Sequence, residues 1–253
     1  MAEQHVVPQN LIFISGMHGC GKDTLIEDFL EDFPKHNLGF NVLRYKKCEM
    51  TGFKVNFERQ PRRIAKYVID FFRAIKMAVE NPTSMVITDR CCHDAFCYIQ
   101  AFGNLGWFTN EELLWIHHML HVAFEPWSLR AIAPFFLNPP FEFIQKNLVK
   151  RQAEKGPKWH ETDQEYCKAV FMAYQFHMGI KGTYINNGML PGDYVEYKPG
   201  YECLSTDRMD RVKGLLWFIR YKYSLIRKED YDGALFKFHP SLRDDGSDGT
   251  PPM

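Results

Sequence analysis

The residues that most clearly indicate chemistry lie in a glycine-rich segment, residues 16–24. The segment reads GMHGCGKDT and fits the pattern G-x-x-x-x-G-K of phosphate-binding loops. Its glycines let backbone N–H groups point at a phosphate, and its lysine adds positive charge at the start of the following helix. We therefore predict that the phosphates of a nucleoside triphosphate are bound by Gly16, His18, Gly19, Cys20, Gly21, Lys22, Asp23 and Thr24.

Asp23 stands where such loops usually carry the hydroxyl residue that contacts Mg²⁺. A carboxylate beside phosphates is repelled by them unless a cation lies between. We therefore expect Asp23 to hold Mg²⁺, directly or through water, and Thr24 to contact the α-phosphate. The alternative is that Asp23 only favours the positive end of its helix, by about 0.3–1 kcal/mol.

A second candidate pair, Asp89-Arg90, follows an apolar segment that is predicted to be a strand, residues 85–88. Phosphoryl transfer needs cations where negative charge spreads over the moving group, and the planar fork of arginine suits that task. We predict that Lys22, Asp89 and Arg90 are catalytic, with Asp89 orienting Arg90 or helping to hold Mg²⁺. A salt bridge at the end of the strand is the alternative.

Basic residues also surround Pro61, at the predicted start of a long helix: Arg59, Arg62 and Arg63. Cations at a helix N-terminus are disfavoured by about 0.3–1 kcal/mol, so their presence indicates a visiting anion such as a monophosphate. A solvated run of charge explains the same residues.

Four more cations bracket Gly156-Pro157 between two predicted helices: Lys150, Arg151, Lys155 and Lys158. Such a loop is able to close over phosphates and exclude water, which competes with the acceptor. We predict a lid at about residues 150–162, with a basic surface loop as the alternative.

Strands and helices alternate along the chain. The predicted strands are 11–15, 40–45, 85–88, 132–137 and 201–205. Helix starts are indicated after the glycine-rich segment, at Pro61, at Thr109-x-x-Glu112, after Pro139-Pro140, at Thr162-x-x-Glu165 and at Asp207. This order predicts an α/β, three-layer fold with a five-stranded parallel sheet and helices on both faces. Ligands of such sheets bind at the carboxyl ends of the strands.

Composition narrows the class of protein. The 253 residues include 31 lysines and arginines and 31 aspartates and glutamates, so no overall charge favours polymeric nucleic acid or a membrane surface as partner. No segment reaches the roughly 18 apolar residues that span a bilayer. The N-terminus does not resemble a secretory signal, and the seven cysteines are an odd number, so we expect a cytoplasmic protein without a disulfide framework. We predict one domain over residues 1–238, with an insertion loop at about 179–200 and a disordered tail at 239–253.

The glycine-rich loop, Asp89-Arg90 followed by Asp94 and Tyr98, and the basic lid together resemble the thymidylate kinase family and its relatives, the deoxynucleoside kinases. The resemblance covers roughly residues 10–220. It implies a P-loop NTPase fold, ATP with Mg²⁺, and often a homodimer. It also implies that Arg90 contacts the acceptor phosphate and that Arg151 acts from the lid. The predicted acceptor-binding residues are Arg44, Tyr45, Arg62, Phe72, Arg73, Asp94 and Tyr98.

The resemblance implies ATP-dependent phosphoryl transfer to a dTMP-like nucleoside monophosphate. The acceptor stays open, because residues 44–49 lack the proline that the family often has after the second strand. A deoxynucleoside kinase and a non-catalytic NTP-binding regulator are alternatives, as is a kinase of another metabolite, because the fold alone does not fix the function. No Asn-Lys-x-Asp sequence, which would indicate a GTPase, is present.

Overall fold

The computed structural model describes residues 7–36, 38–47, 57–124, 134–156, 159–178 and 201–222. Within these ranges the strands are β1 Leu11–Ser15, β2 Asn41–Tyr45, β3 Ser84–Asp89, β4 Phe135–Leu137 and β5 Tyr201–Cys203. The helices are α1 Lys22–Asp32, α2 Gln60–Glu80, α3 Cys92–Asn104, α4 Asn110–Phe124, α5 Phe141–Lys155, α6 Gln164–Met178 and α7 Arg208–Lys222. The predicted insertion loop and tail lie outside the described residues, as do residues 157 and 158 of the lid.

The five strands form one parallel sheet in the order β2-β3-β1-β4-β5. All five residues of β1 are buried, as expected for a central strand covered on both faces. Neighbouring residues of β2 reach different helices, because Arg44 pairs with Asp23 of α1 and Tyr45 donates to Asp70 of α2. Since successive side chains of a strand point to opposite faces, α1 and α2 cover opposite faces. The predicted fold class is confirmed.

Helix α3 was not predicted from the sequence. Ten of its residues are buried, including the unbroken run from Cys92 to Ile99. It packs between α4 and α6, so it has no polar face that would produce a helical pattern in the sequence. The helix begins after Cys91, whose N–H donates to Asp94 Oδ2 at 2.7 Å.

The predicted helix starts are correct at two of three capping positions. Thr109 and Glu112 exchange hydrogen bonds of 2.8 and 3.2 Å, and Asp207 Oδ1 accepts from the N–H of residue 210 at 2.9 Å. The predicted box at Thr162 is wrong. Residues 159–162 form a 3-10 turn, and Asp163 caps α6 by accepting from the N–H of residue 166 at 3.1 Å.

Candidate active site

The glycine-rich loop connects β1 to α1 in a conformation that requires glycine. Gly16 has φ 143° and Gly19 has φ 80°, backbone angles that residues other than glycine rarely adopt. A Cβ atom on Gly16 would lie 2.5 Å from the carbonyl oxygen of Leu137, and one on Gly19 would lie 2.7 Å from Leu148 Cγ. The loop therefore sits tightly against β4 and α5.

Two side chains hold carbonyl groups of this loop from outside. Asn147 Nδ2 of α5 donates to Gly19 O at 3.0 Å, and Arg211 Nη1 of α7 donates to Cys20 O at 3.2 Å. Because a trans peptide points its N–H opposite to its carbonyl, the N–H of Gly21 is directed away from Arg211. These contacts fix the orientation of the loop peptides, which is what phosphate binding by backbone N–H groups requires.

Lys22 joins the loop to the end of β3. Its side chain is buried, and its Nζ donates to Gly16 O at 2.7 Å and to Met17 O at 2.8 Å. The same atom lies 4.0 Å from Asp89 Oδ1. The structure thus brings together two of the residues predicted to be catalytic. A buried ammonium is costly without partners, and phosphate oxygens are able to replace the carbonyls as partners.

Asp89 lies between two lysines. Its Oδ2 accepts from Lys47 Nζ at 2.5 Å, while its Oδ1 is buried and has no hydrogen-bond partner in the described part of the chain. Burial opposes its charge, but the positive charges of Lys22, Arg90 and Lys47 outweigh that effect and hold the pKa of Asp89 at about 2. An ionised oxygen without a donor is a ligand that Mg²⁺ accepts, so Asp89 fits the predicted metal role.

Asp23 is engaged elsewhere. Its carboxylate is 71% exposed and pairs with Arg44 at 2.5 Å, and Arg44 also lies 3.6 Å from Glu27. In this conformation the charge of Asp23 therefore ties α1 to β2, and Thr24 beside it is exposed. Binding of Mg²⁺ by Asp23 and of acceptor by Arg44 remain predictions.

Arg90 is the one non-glycine residue with positive φ, 78°, in the described part of the chain. Its N–H donates to Ile14 O at 2.8 Å, which joins it to β1. Its Nη1 lies 3.1 Å from Tyr174 Oη, and its guanidinium lies 5.0 Å from the ring centroid of Tyr98. Strained backbone of this kind persists where neighbouring contacts enforce it, and here it sets the direction of a predicted catalytic side chain.

Asp94 is held by groups of the protein. It is fully buried and accepts hydrogen bonds from Ser15 Oγ at 3.0 Å, Gly16 N at 3.4 Å, Cys91 N at 2.7 Å and Tyr174 Oη at 2.5 Å. Because donors of the protein surround both of its oxygens, Asp94 joins the glycine-rich loop to α3 and α6. Binding of the acceptor by Asp94 stays a prediction, and its contacts in this structure are all with the protein.

An aromatic wall, defined here as His18, Tyr98, Trp107 and Tyr166, stands beside the cations. The ring of Tyr166 is nearly parallel to that of His18 at 5.4 Å and to that of Trp107 at 5.7 Å between centroids. His18 Nδ1 lies 3.1 Å from Tyr98 Oη. Burial, followed by the charges of nearby cations, lowers the pKa of His18 well below its usual value, so the ring is neutral. Tyr166, Tyr98 and His18 are buried, so these rings pack against one another and form a rigid side of the site.

Helix α2 carries Arg63 to this wall, with its guanidinium 5.3 Å from the ring centroid of Tyr98. The predicted acceptor-binding residues Arg62, Phe72 and Arg73 lie on the exposed side of the same helix. The structure does not bring these three residues to the site. The helical phase places Arg63, and not its neighbour, toward Tyr98. Acceptor binding by Arg62, Phe72 and Arg73 stays a prediction. Another predicted acceptor residue, Tyr45, donates to Asp70 at 2.9 Å.

The described part of the predicted lid holds its main cation in an ion pair. Arg151 of α5 is 30% exposed and pairs with Glu161. Its charge still contributes to lowering the pKa of His18, which places it near the glycine-rich loop. Lys150 points outward and lies 3.9 Å from Glu154. Arg151 is therefore within the electrostatic reach of the site, while Lys150 belongs to the surface.

Sequence reasoning missed two cations of the site. Lys47 follows β2, at the same edge of the sheet as Asp89. Its position at the carboxyl end of a predicted strand could have identified it as a site residue, because ligands bind there. Arg211 lies inside α7, and no sequence signal indicates that it returns to the loop.

No family model matches the sequence, and no curated protein matches it. Among solved structures, a deoxyadenosine kinase from M. mycoides with bound dCTP is 15% identical with a TM-score of 0.49. A deoxyadenosine kinase from M. mycoides with the products dCMP and a flexible dCDP is 13% identical with a TM-score of 0.44. Each similarity covers 85% of this chain and 100% of the other. Likeness at this level carries no argument about activity. Among the described helices, none is long and apolar enough to cross a membrane.

Proposed function

We propose that this chain is an ATP-dependent nucleotide kinase that transfers a phosphoryl group to a dTMP-like nucleoside monophosphate, forming the diphosphate. The observation that carries the proposal is the arrangement around one carboxylate. Asp89 Oδ1 lies 4.0 Å from the loop lysine Lys22, and Arg90 follows Asp89 directly. A cradle for donor phosphates and an arginine for the transferring group thus meet at neighbouring strand ends, as phosphoryl transfer requires.

In the proposed reaction, the glycine-rich loop and Lys22 hold the β- and γ-phosphates of the donor. An oxygen of the acceptor attacks the γ-phosphorus while the bond to the β–γ bridging oxygen breaks, and the electron pair leaves with ADP. Arg90 stabilises the charge that spreads over the moving group. Bound Mg²⁺ would supply further charge neutralisation between the phosphates, and Asp89 is the carboxylate that fits it.

The arginines beside the aromatic wall support an acceptor that carries a phosphate. The guanidinium groups of Arg90 and Arg63 lie 5.0 and 5.3 Å from the ring centroid of Tyr98, which belongs to this wall. A phosphate bound near Tyr98 would therefore lie close to two guanidinium groups. The predicted cytoplasmic location and homodimer remain predictions.

The direct test is to incubate the protein with Mg-ATP and a panel of nucleosides and nucleoside monophosphates and to measure ADP release. Lys22→Ala is expected to lower acceptor-dependent turnover by roughly 100-fold or more, because it removes a preorganised cation. Lys76→Ala is the matched control, since Lys76 is 73% exposed on α2. Near-normal turnover of Lys22→Ala would refute the assignment. ATP binding without acceptor-dependent ADP release would favour the NTP-binding regulator.

A further inference from the structure

Lys47 extends the site on the side away from the donor loop. Lys47 follows β2, Asp89 ends β3 and the loop follows β1, and these three strands lie side by side in the order β2-β3-β1. Asp89 therefore stands between the two lysines, with Oδ1 4.0 Å from Lys22 and Oδ2 2.5 Å from Lys47. Lys22 lies on the side of the donor phosphates. Lys47 lies on the opposite side of Asp89, where the proposed function requires the acceptor.

The charges at this edge of the sheet favour an anion. The groups that act electrostatically on Lys47 are Arg90, Asp89 and Lys22, which together with Lys47 amount to three cations and one carboxylate. The other nearby carboxylate, Asp94, pairs with Arg90 at 3.5 Å and accepts hydrogen bonds from Ser15 and Cys91, so three cations face two carboxylates. The surplus positive charge is therefore available to a ligand.

We propose that Lys47 binds the phosphate of the acceptor and so selects a nucleoside monophosphate over a free nucleoside. This inference rests on the proposed function and names its substrate class. The Lys47 side chain is 37% exposed, so it has room to move from Asp89 to a phosphate when one arrives. That movement also releases Asp89 Oδ2.

The chemistry of the two acceptors supports this choice. The hydroxyl of a nucleoside loses a proton as it attacks, so it requires a base nearby. An ammonium accepts no proton, and both oxygens of Asp89 face lysines, Oδ2 at 2.5 Å from Lys47 and Oδ1 at 4.0 Å from Lys22, so neither is placed as a base for a hydroxyl. A phosphate monoester has a second pKa of about 6, so its attacking oxygen is already ionised and needs cations instead. Lys47 supplies one such cation.

The test measures binding, without ATP or Mg²⁺. The probes are dTMP, dAMP, dCMP and dGMP and the four corresponding nucleosides, titrated by calorimetry into the wild type, Lys47→Met, Lys47→Arg and Lys46→Met. Lys46 is the matched control because it is the adjacent lysine and is exposed. The wild type is expected to bind a monophosphate more tightly than its nucleoside. Lys47→Met should weaken monophosphate binding about 10-fold or more, as expected for loss of a charge-assisted hydrogen bond, and leave nucleoside binding unchanged.

Lys47→Arg is expected to recover most of the monophosphate affinity, and Lys46→Met to stay within about 2-fold of the wild type, as befits an exposed site. Monophosphate affinity that is unchanged in Lys47→Met, or an equal loss for monophosphate and nucleoside, would overturn the inference, as would a wild type that binds neither. The proposed function fails separately. If Lys47→Met selectively loses monophosphate binding but the wild type turns over no acceptor, the Lys47 site stands and the kinase proposal falls. If the wild type and Lys47→Met turn over and bind nucleoside monophosphates equally well, the kinase proposal stands and the Lys47 site falls.

Discussion

The buried carboxylate of Asp94 offers a sharp test of how the site is built. Its Oδ1 accepts from Tyr174 Oη at 2.5 Å and Gly16 N at 3.4 Å, and its Oδ2 accepts from Cys91 N at 2.7 Å and Ser15 Oγ at 3.0 Å. Asparagine has nearly the same shape, but either orientation of its amide brings an NH₂ group against a backbone N–H. Losing a charge-assisted hydrogen bond costs about 1.5–3 kcal/mol, and an unsatisfied buried donor costs about 1–3 kcal/mol more.

We therefore expect Asp94→Asn to lower the free energy of unfolding by about 3–5 kcal/mol, measured by urea denaturation, with the melting temperature falling by about 10 °C. Asp210→Asn is the control, because Asp210 is 47% exposed on α7, and its effect should stay within about 0.5 kcal/mol. If Asp94 contacted the acceptor instead, the variant would keep its stability and show only a higher acceptor KM. That result would refute the structural role.

Two further predictions concern the helices around the sheet. Burial, followed by the charges of neighbouring histidines, lowers the pKa of His177 to about 3 and of His117 to about 4, so both are neutral in the fold and take up protons on unfolding below pH 6.5. The free energy of unfolding should therefore be highest above pH 6.5 and fall by about 2 kcal/mol per histidine between pH 7 and 5. Urea denaturation should show a smaller loss over this range for His177→Gln than for the wild type. Arg211→Met removes the contacts with Cys20 O and Ser205 O and should raise the KM for ATP about 10-fold, with the acceptor KM unchanged in steady-state assays; equal KM values for ATP would contradict this.

The glycine-rich loop and the strands were predictable because their signals are local. A run of apolar residues ending at Gly16, followed by Gly-Lys, restricts the chain to few conformations. The phase of α2 was harder to read, because Phe71 and Phe72 are both apolar. The structure buries Phe71 and leaves Phe72, a predicted acceptor-binding residue, 46% exposed. This phase explains why Arg63 rather than Arg62 reaches Tyr98.

Other features of the site depend on contacts between residues distant in the sequence. Asp94 lies 79 residues from Ser15 and 80 from Tyr174, and both distances are bridged only by the fold. Its place near Arg90 in the sequence made it resemble a substrate contact. Lys47 was passed over for the same reason, because its pairing with Asp89 spans 42 residues. Local patterns give the type of a residue, whereas its partners depend on topology.

The described contacts separate a fixed part of the site from an adjustable one. Asp94 joins the donor loop at Gly16 to Tyr174 of α6, and Tyr174 in turn contacts Arg90, so the spacing between the donor cradle and Arg90 is set by buried groups. Lys47 and Arg151 are 37% and 30% exposed, and each is held by a single carboxylate that a ligand is able to replace. Stabilising a transition state requires preorganised charges, whereas admitting and enclosing a substrate requires charges that move. Substitutions of Asp94 and Tyr174 should therefore lower kcat, whereas substitutions of Lys47 and Arg151 should act mainly on KM.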